Sequence, residues 1–149
     1  MSKIKVKVLK NGEGLYHLKK ATFGSAGFDL IAANFDDINL RPNLSILVPC
    51  GFSLELPKNF EAQVRPRSGL ALKKMITVLN SPGTIDSDYR GEICVILINH
   101  SINNFRIERG MRIAQLVFSR IPEFELLEVK ELNDTERGKG GFGSTGLKS

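Results

Sequence analysis

The segment of residues 80–91 concentrates side chains that could bind and cleave a nucleotide. It reads Asn80-Ser81-Pro82-Gly83-Thr84-Ile85-Asp86-Ser87-Asp88-Tyr89-Arg90-Gly91 and lies between two apolar runs. An amide can pair with the edge of a base, an aromatic ring can lie against a base or a sugar, and a carboxylate can activate water. The Asp-Ser-Asp sequence could equally form Asx turns in an ordinary hairpin connection. On its own, the segment leaves both interpretations open.

Two further segments carry groups that suit phosphate. In residues 65–71, Ser68 and Gly69 lie where a short helix is predicted to begin, so backbone N–H groups and the hydroxyl can face an anion. The planar guanidinium of Arg67 fits phosphate oxygens. Residues 110–118 predict a strand in which Arg112 and Gln115, three positions apart, are expected to point to opposite faces. A helix N-cap and exposed strand residues would explain the same patterns without any ligand.

Two more segments are weaker indications when each is taken alone. Asp29 lies beside glycine in the apolar segment of residues 26–30, which a turn with a capping carboxylate would explain. Residues 137–146 contain five glycines and little to bury, so ordering them costs conformational entropy and we expect a mobile tail. The tail also holds side chains that a closing lid would use, namely Arg137, Phe142, Ser144 and Thr145.

The elements that must position these side chains are short strands. Apolar and polar residues alternate with a period of two, which predicts strands at residues 4–8, 44–48, 52–56, 62–65, 76–79, 92–99, 112–118 and 125–129. Pro49-Cys50-Gly51 predicts a break or bend between the second and the third of these. Only residues 70–75 look helical, over less than about two turns. Many short strands with one helical fragment predict an all-β sandwich or barrel.

The composition limits the class of protein. At 149 residues the chain fits one domain, and 42% hydrophobic with 25% charged residues is ordinary globular usage. The longest apolar run, residues 93–98, is far shorter than the roughly 20 residues of a membrane helix, so no membrane partner is expected. No secretory signal is visible at the start of the sequence. We therefore expect a soluble, cytoplasmic protein.

Charge and cysteine content narrow the partners. The surplus of 21 basic over 16 acidic residues, a net charge of +5, suits an anionic partner, either a polynucleotide or a small phosphorylated ligand. The basic residues are scattered, so nucleic acid is not the expected partner. Cys50 and Cys94 are expected to be reduced thiols. His17 and His100 have no companions at zinc-ligand spacing, so no zinc site is predicted.

Taken in order, the five segments resemble the five motifs of the homotrimeric deoxyuridine triphosphatases, the dUTPases. The matching segments are residues 26–30, 66–70, 83–91, 112–115 and 137–146, and together they span nearly the whole chain. The resemblance implies a β-clip or jelly-roll-like barrel in residues 1–136, with residues 137–149 as a flexible lid of the same domain. It also implies hydrolysis of dUTP to dUMP and pyrophosphate with Mg²⁺, which limits uracil in DNA and supplies dUMP for dTMP synthesis.

The resemblance also assigns roles to residues of the third motif. Asp86 matches the general base that deprotonates the water attacking the α-phosphorus. Asn80 matches the side chain that reads the base edge, with backbone groups around Thr84, Ile85 and Cys94 completing uracil recognition. Such a close-fitting backbone would exclude the methyl group of thymine and mispair with cytosine. Tyr89 matches the ring beneath the deoxyribose, where its bulk would exclude a 2′-hydroxyl.

The other motifs match positions that contact the triphosphate: Arg67, Ser68, Gly69 and Gln115. In the tail, Phe142 would stack on uracil, whereas the γ-phosphate would be held by Arg137, Ser144 and Thr145. Mg²⁺ would bridge the phosphates with no direct protein ligand assigned, and Asp29 would support the site indirectly through water. In the family, motifs one, two and four of a site come from one chain, motif three from a second and the tail from a third.

Two alternatives remain at this point. A dCTP deaminase of the same fold needs a Glu on the strand after the hairpin, where this chain has Ile96, and such enzymes tend to have Ser in place of Gly69. A non-catalytic module that binds nucleotide or RNA would be expected to lose Asp86 or the tail motif, and both are present. One departure from the family pattern concerns the short helix, where many members have His and this chain has Leu72-Lys73-Lys74.

Overall fold

The structure is a computed structural model that describes residues 3–16, 20 and 22–141. Within them the chain forms ten β-strands, one α-helix and a 3₁₀ helix at Lys10–Gly12. The elements are β1 (Lys5–Val8), β2 (Gly27–Ile31), β3 (Ile38–Leu40), β4 (Ser45–Glu55), β5 (Phe60–Arg65), α1 (Ser68–Lys74), β6 (Ile76–Val78), β7 (Gly83–Ile85), β8 (Glu92–Asn99), β9 (Phe105–Ile107) and β10 (Arg112–Arg120). The predicted all-β class is confirmed.

The strands form a jelly-roll-like barrel of antiparallel sheets. One four-stranded sheet has the order β1-β4-β8-β6, the other has the order β2-β10-β5-β7, and β3 pairs with β9. The core lies between the two larger sheets, where residues such as Leu30, Leu54, Leu97 and Leu116 are almost fully buried. Burial alternates along β8, because every second side chain of a strand points to the same face.

The predicted break at residues 49–51 is a bulge inside one strand. The sequence predicts a break or a bend, and the structure has the bend: β4 runs without interruption, so the two predicted strands are one, and its pairing with β8 shifts register between Pro49 and Ser53. Gly51 has a positive φ of 75°, and a Cβ atom on it would lie 2.3 Å from the Cα atom of Gly12. Glycine is therefore required where the β4 bulge and the 3₁₀ helix meet.

The predicted strand at residues 125–129 is wrong. Residues 121–130 form no strand and are exposed, although their apolar residues are large. The amide of Ile121 donates to the carbonyl of Asn59 at 2.9 Å, and beyond it the segment pairs with no strand of the described chain. Alternation alone does not make a strand, because backbone N–H and C=O groups need a partner strand. Leu126 and Leu132 remain 89% and 87% exposed.

The remaining differences concern short elements. The strands β2, β3, β7 and β9 were not predicted, since three to five residues carry too little periodicity. Helix α1 begins at Ser68, where its start is predicted and two residues before the run that looks helical, and it ends where Met75 adopts a left-handed conformation. Among the residues that the structure describes, no helix has the length and hydropathy needed to cross a membrane.

Candidate active site

The first cavity lies between β7, β8 and the loop that joins them. We call it the hairpin cavity; its volume is about 210 Å³. The structure brings to it all six residues predicted for base, sugar and water: Asn80, Thr84, Ile85, Asp86, Tyr89 and Cys94. Its other lining residues are mostly apolar, namely Leu47, Val64, Gly83, Glu92, Ile93 and Ile96. The cavity is therefore formed within a single chain.

Short backbone contacts fix the shape of the hairpin cavity. Gly83 pairs with Val64 of β5, and a Cβ atom on Gly83 would lie 3.2 Å from the side-chain nitrogen of Asn80. The hydroxyl of Tyr89 donates to the backbone oxygen of Glu92 at 3.0 Å. A Cβ atom on Gly91 would lie 2.3 Å from that hydroxyl, so Gly91 leaves the space into which the ring folds back. Glycine thus permits the close approach at both edges of the cavity.

Asp86 lies where its carboxylate can meet solvent. It is the residue after β7, it is exposed, and its backbone oxygen accepts a hydrogen bond of 3.2 Å from the amide of Tyr89. The guanidinium of Arg90 donates to the backbone oxygens of Ser87 and Tyr89 at 2.7 and 3.0 Å. The turn after β7 is thus held by a backbone hydrogen bond and by the Arg90 side chain, which leaves the carboxylate of Asp86 accessible to water.

The charged side chains that line the hairpin cavity, Asp86 and Glu92, are both acidic, and the rest of its wall is neutral or apolar. Burial raises the pKa of the Cys94 thiol, and the neighbouring carboxylate of Glu92 raises it further. Cys94 therefore stays neutral near pH 7 and acts as a small polar group beside apolar side chains. The neutral part of the wall suits an uncharged ligand group, for example a nucleobase, because an unpaired charge would be costly to bury there.

A second cavity is lined by two guanidinium groups. We call it the arginine cavity; its volume is about 400 Å³, and its lining residues are Ser25, Ala26, Gly27, Phe28, Asp29, Arg67, Ser68, Gly69, Arg112 and Gln115. The Asp29 carboxylate lies between the guanidiniums, 3.2 Å from Nε of Arg67 and 3.5 Å from Nη1 of Arg112. Arg67 also donates to the backbone oxygen of Arg112 at 3.1 Å. Asp29 thus orients two planar cations in one cavity.

These ion pairs position the guanidiniums more than they stabilise the fold. The side chains of Arg67 and Asp29 are 32% and 30% exposed, so water screens their attraction. The first turn of α1 adds N–H groups near Ser68 and Gly69, because a helix start leaves such donors without intrahelical partners. Two guanidiniums, a hydroxyl and backbone donors together can bind several anionic oxygens.

A bulge in β10 brings Arg112 and Gln115 to the same cavity, so the prediction that they face opposite sides is wrong. Arg112 pairs with Ile31 and Ala114 with Leu30, which inserts one extra residue on β10 and rotates Arg112 relative to Gln115. The amide of Gln115 donates to the backbone oxygen of Pro66 at 3.0 Å. Arg112 is not among the site residues predicted from the sequence. Its position in the fourth motif, three residues before Gln115, could have indicated it.

The two cavities have no lining residue in common. Asp86 and Arg67 therefore belong to different cavities of the chain. A reaction at phosphate would need both, one to activate water and the other to bind the phosphate. Arg137 lines neither of these cavities; it is exposed, and its Nε donates to the backbone oxygen of Gly140 at 2.9 Å. The other predicted tail residues, Phe142, Ser144 and Thr145, lie outside the described residues.

Known proteins resemble this chain over nearly its whole length. The dUTPase family model matches residues 16–146. The deoxyuridine 5′-triphosphate nucleotidohydrolase of Gloeothece citriformis (strain PCC 7424) is 53% identical over 146 residues, which are 98% of this chain and 99% of that protein. That of Caulobacter vibrioides (strain NA1000 / CB15N) is 57% identical over 129 residues, which are 85% of this chain and 83% of that protein.

A solved structure of Staphylococcus bacteriophage 80alpha dUTPase with dUPNHPP has the same fold. Its TM-score with this chain is 0.87 at 26% identity, and the match covers 99% of this chain and 100% of that one. The family model, the relatives and this structure agree with the family resemblance that the five motifs carry. The chain belongs to the dUTPase family.

Proposed function

We propose that this chain hydrolyses dUTP to dUMP and pyrophosphate, with Asp86 as the general base for a water that attacks the α-phosphorus. One observation carries the assignment of sites: the chain has a largely apolar hairpin cavity and a separate cavity with two guanidiniums. A nucleoside triphosphate has the same division, with a neutral base at one end and a polyanion at the other. Asp86 lines the hairpin cavity and is exposed, which suits a residue that must reach water.

The hairpin cavity is the proposed uracil and deoxyribose site. The amide of Asn80 and the backbone at Thr84, Ile85 and Cys94 pair with the base, and the ring of Tyr89 lies against the sugar. A cavity of about 210 Å³ supports this role, because it leaves little space beyond a pyrimidine ring and part of its sugar. Since backbone groups cannot move aside easily, an added methyl or hydroxyl is rejected.

The arginine cavity is the proposed triphosphate site. Arg67, Ser68, Gly69 and Gln115 contact phosphate oxygens, and Arg112 joins them as a second guanidinium. Asp29 holds both arginines before the substrate binds, so that little reorganisation is needed when the phosphates arrive.

Mg²⁺ is the proposed cofactor. No group of three or more His, Cys, Asp or Glu residues that could hold a metal ion occurs within residues 3–16, 20 and 22–141. Asp29 lines the arginine cavity and fits a partner that reaches the metal through water, the common arrangement for Mg²⁺ on substrate phosphates. When bound, the metal neutralises charge on the triphosphate.

We propose a homotrimer in which different chains supply the two cavities and the tail of one site. The separation of Asp86 from Arg67 within one chain supports this arrangement. Exposed apolar side chains support an assembly as well, because Leu47, Leu126 and Leu132 would lie in water in a lone chain.

Residues 137–149 are proposed to be a lid of the domain formed by residues 1–136. Phe142 would stack on uracil, and Arg137, Ser144 and Thr145 would hold the γ-phosphate. The glycine content supports the lid, because ordering such a segment costs conformational entropy, which contacts with a bound ligand can offset. The free thiols of Cys50 and Cys94 support a reducing compartment, and we propose the cytoplasm.

The two alternatives are less well supported. The deaminase would need a proton-transferring side chain where Ile96 lines the hairpin cavity, and a hydrocarbon side chain cannot transfer protons. A non-catalytic module has no use for an exposed carboxylate beside a base-sized cavity. Neither alternative requires the five motifs to be complete.

The test is pyrophosphate release from dUTP with Mg²⁺, with and without EDTA, beside UTP, dTTP and dCTP. We expect turnover of dUTP alone, and loss of it with EDTA. Ammonia release from dCTP would favour the deaminase, and binding without turnover of any nucleotide would favour the module.

The shared site has its own test. A chain that ends at Glu136 and a full-length Asp86→Asn chain should each be nearly inactive, whereas their mixture should regain activity after subunit exchange. Mixed trimers can then combine an intact base with an intact tail. A mixture that has exchanged subunits and stays inactive would exclude sites shared between chains.

A further inference from the structure

Glu92 lies at the edge of the hairpin cavity but has no role in the chemistry described above. It is the first residue of β8, it is half-buried, and one of its carboxylate oxygens, Oε1, accepts two hydrogen bonds. The donors are the side-chain amide of Asn11 at 2.7 Å and the backbone N–H of Gly51 at 2.8 Å. Its carboxylate thus connects the cavity edge to the 3₁₀ helix and to the β4 bulge.

The β4 bulge depends on this carboxylate. Gly51 is buried, so without Glu92 its N–H group would lose the acceptor that the structure gives it, and an unpaired buried donor is costly. The backbone oxygen of Gly51 is held from the other side by the amide of Leu9 at 2.9 Å. Glu92 and the segment around the 3₁₀ helix therefore fix the bulge between them.

The bulge and Glu92 set the position of two groups in the hairpin cavity. On either side of the bulge, Ser53 pairs with Glu92 and Pro49 pairs with Cys94, so the bulge decides where the backbone at Cys94 lies. The backbone oxygen of Glu92 also accepts the hydrogen bond of the Tyr89 hydroxyl at 3.0 Å. The backbone oxygen of Glu92 thus positions Tyr89, the proposed sugar contact. The carboxylate of Glu92, through the bulge, positions the backbone at Cys94, a proposed base contact.

We infer that Glu92 is a positioning residue that sets how strictly the hairpin cavity distinguishes deoxyuridine from uridine nucleotides. It acts through Tyr89 and the β4 bulge, because its backbone oxygen holds the Tyr89 hydroxyl and its carboxylate is engaged by Asn11 and Gly51. The inference rests on the proposed function, in which the hairpin cavity holds the base and the sugar.

The experiment measures kcat and KM for dUTP and for UTP in Glu92→Ala and Glu92→Gln. For Glu92→Ala we expect KM for dUTP to rise about tenfold, kcat to change less than about threefold, and the preference for dUTP over UTP to fall. Glu92→Gln should restore the KM and the preference, because the amide oxygen can accept the same two hydrogen bonds. A glutamine variant as defective as the alanine variant would overturn the inference, since the charge would then be what matters.

Asn34→Ala is the matched control for a general loss of stability. The side-chain nitrogen of buried Asn34 also donates two hydrogen bonds, to the backbone oxygens of Asp36 and Ile107, and Asn34 lines neither cavity. It should lower Tm and leave the preference for dUTP unchanged. If Glu92→Ala lowers Tm and likewise leaves the preference unchanged, the inference is wrong.

Two further measurements cover the remaining outcomes. Asn11→Ala removes one donor to the same carboxylate, so a smaller loss of preference in the same direction is expected even if Glu92→Ala does not fold. Calorimetric binding of dUMP and UMP reports the preference without turnover. A wild-type chain that binds dUMP over UMP but releases no pyrophosphate would therefore count against the proposed function and not against the role of Glu92.

Discussion

The hairpin cavity and the arginine cavity lie on the same barrel but are built from different groups. The hairpin cavity is walled by strand backbone, mostly apolar side chains and two carboxylates, and Gly91 at its edge leaves the space that the Tyr89 hydroxyl occupies. The arginine cavity is walled by long charged side chains that are partly exposed and are held chiefly by Asp29. The first suits selection by shape, whereas the second suits recognition of charge with room for adjustment. Selectivity for the base and sugar should therefore respond to substitutions in the hairpin cavity, and phosphate binding to substitutions in the arginine cavity.

The largest expected effect is at Asp86. Asp86→Asn should lower kcat by about 10²–10⁴-fold, the contribution of a general base, while dUTP binding stays nearly unchanged. The amide keeps the shape of the side chain and cannot accept a proton from water. Stopped-flow pyrophosphate release and calorimetric binding measure the two quantities. Asp88→Asn, in the same loop but outside the cavity lining, is the control and should remain active. Near-normal turnover in Asp86→Asn would show that Asp86 is not the general base.

The second largest expected effect is at Arg112, which should affect phosphate binding and leave selectivity for the sugar unchanged. Arg112→Ala should lower kcat/KM for dUTP by about 10–100-fold, since it removes a charge-assisted contact to phosphate. Selectivity against UTP should not change, because the sugar is read in the other cavity. Steady-state kinetics with both nucleotides test this. Arg106→Ala removes an exposed arginine paired with Asp37 elsewhere on the barrel and should have little effect; equal losses in the two variants would mean that Arg112 has no special role.

Tyr89 tests whether the hairpin cavity selects the sugar of the nucleotide. Tyr89→Ala should reduce the preference for dUTP over UTP by about tenfold or more, since the ring is proposed to occupy the space of a 2′-hydroxyl. Tyr89→Phe keeps the ring and loses the hydrogen bond to Glu92, so it should fall between wild type and alanine. The ratio of kcat/KM for the two nucleotides decides the question. An unchanged ratio in Tyr89→Ala would show that the sugar is distinguished elsewhere.

The smallest effect concerns stability at alkaline pH. Burial raises the pKa of Tyr16, of Cys50 and of Cys94, so the folded chain keeps these protons while the unfolded chain releases them as the pH rises. The free energy of unfolding should therefore be steady near pH 7 and fall above about pH 8.5, where unfolded thiols ionise. Urea denaturation between pH 7 and 10 measures the slope. Cys50→Ala should make the slope shallower, and an unchanged slope would assign it to other groups.

The sequence predicts the hairpin cavity better than the arginine cavity. Asn80, Thr84, Ile85, Asp86 and Tyr89 are close in the sequence, and a hairpin brings such neighbours together whatever the rest of the chain does. The arginine cavity joins three distant segments, and the bulge that turns Arg112 toward Gln115 has no signature in a strand pattern of period two. The predicted strand at residues 125–129 was wrong for a related reason, because pairing depends on a partner strand that alternation does not reveal.

The sequence by itself determined the all-β class and the order of the five motifs, because these depend on local periodicity and spacing. Only the tertiary structure decided that β4 is one bulged strand, that Asp29 lies between Arg67 and Arg112, and that Asp86 lies in a different cavity from them. These features depend on register and on contacts between residues far apart in the chain. A shift of one residue in strand pairing reverses the face of each side chain, and tertiary packing selects the register that is adopted.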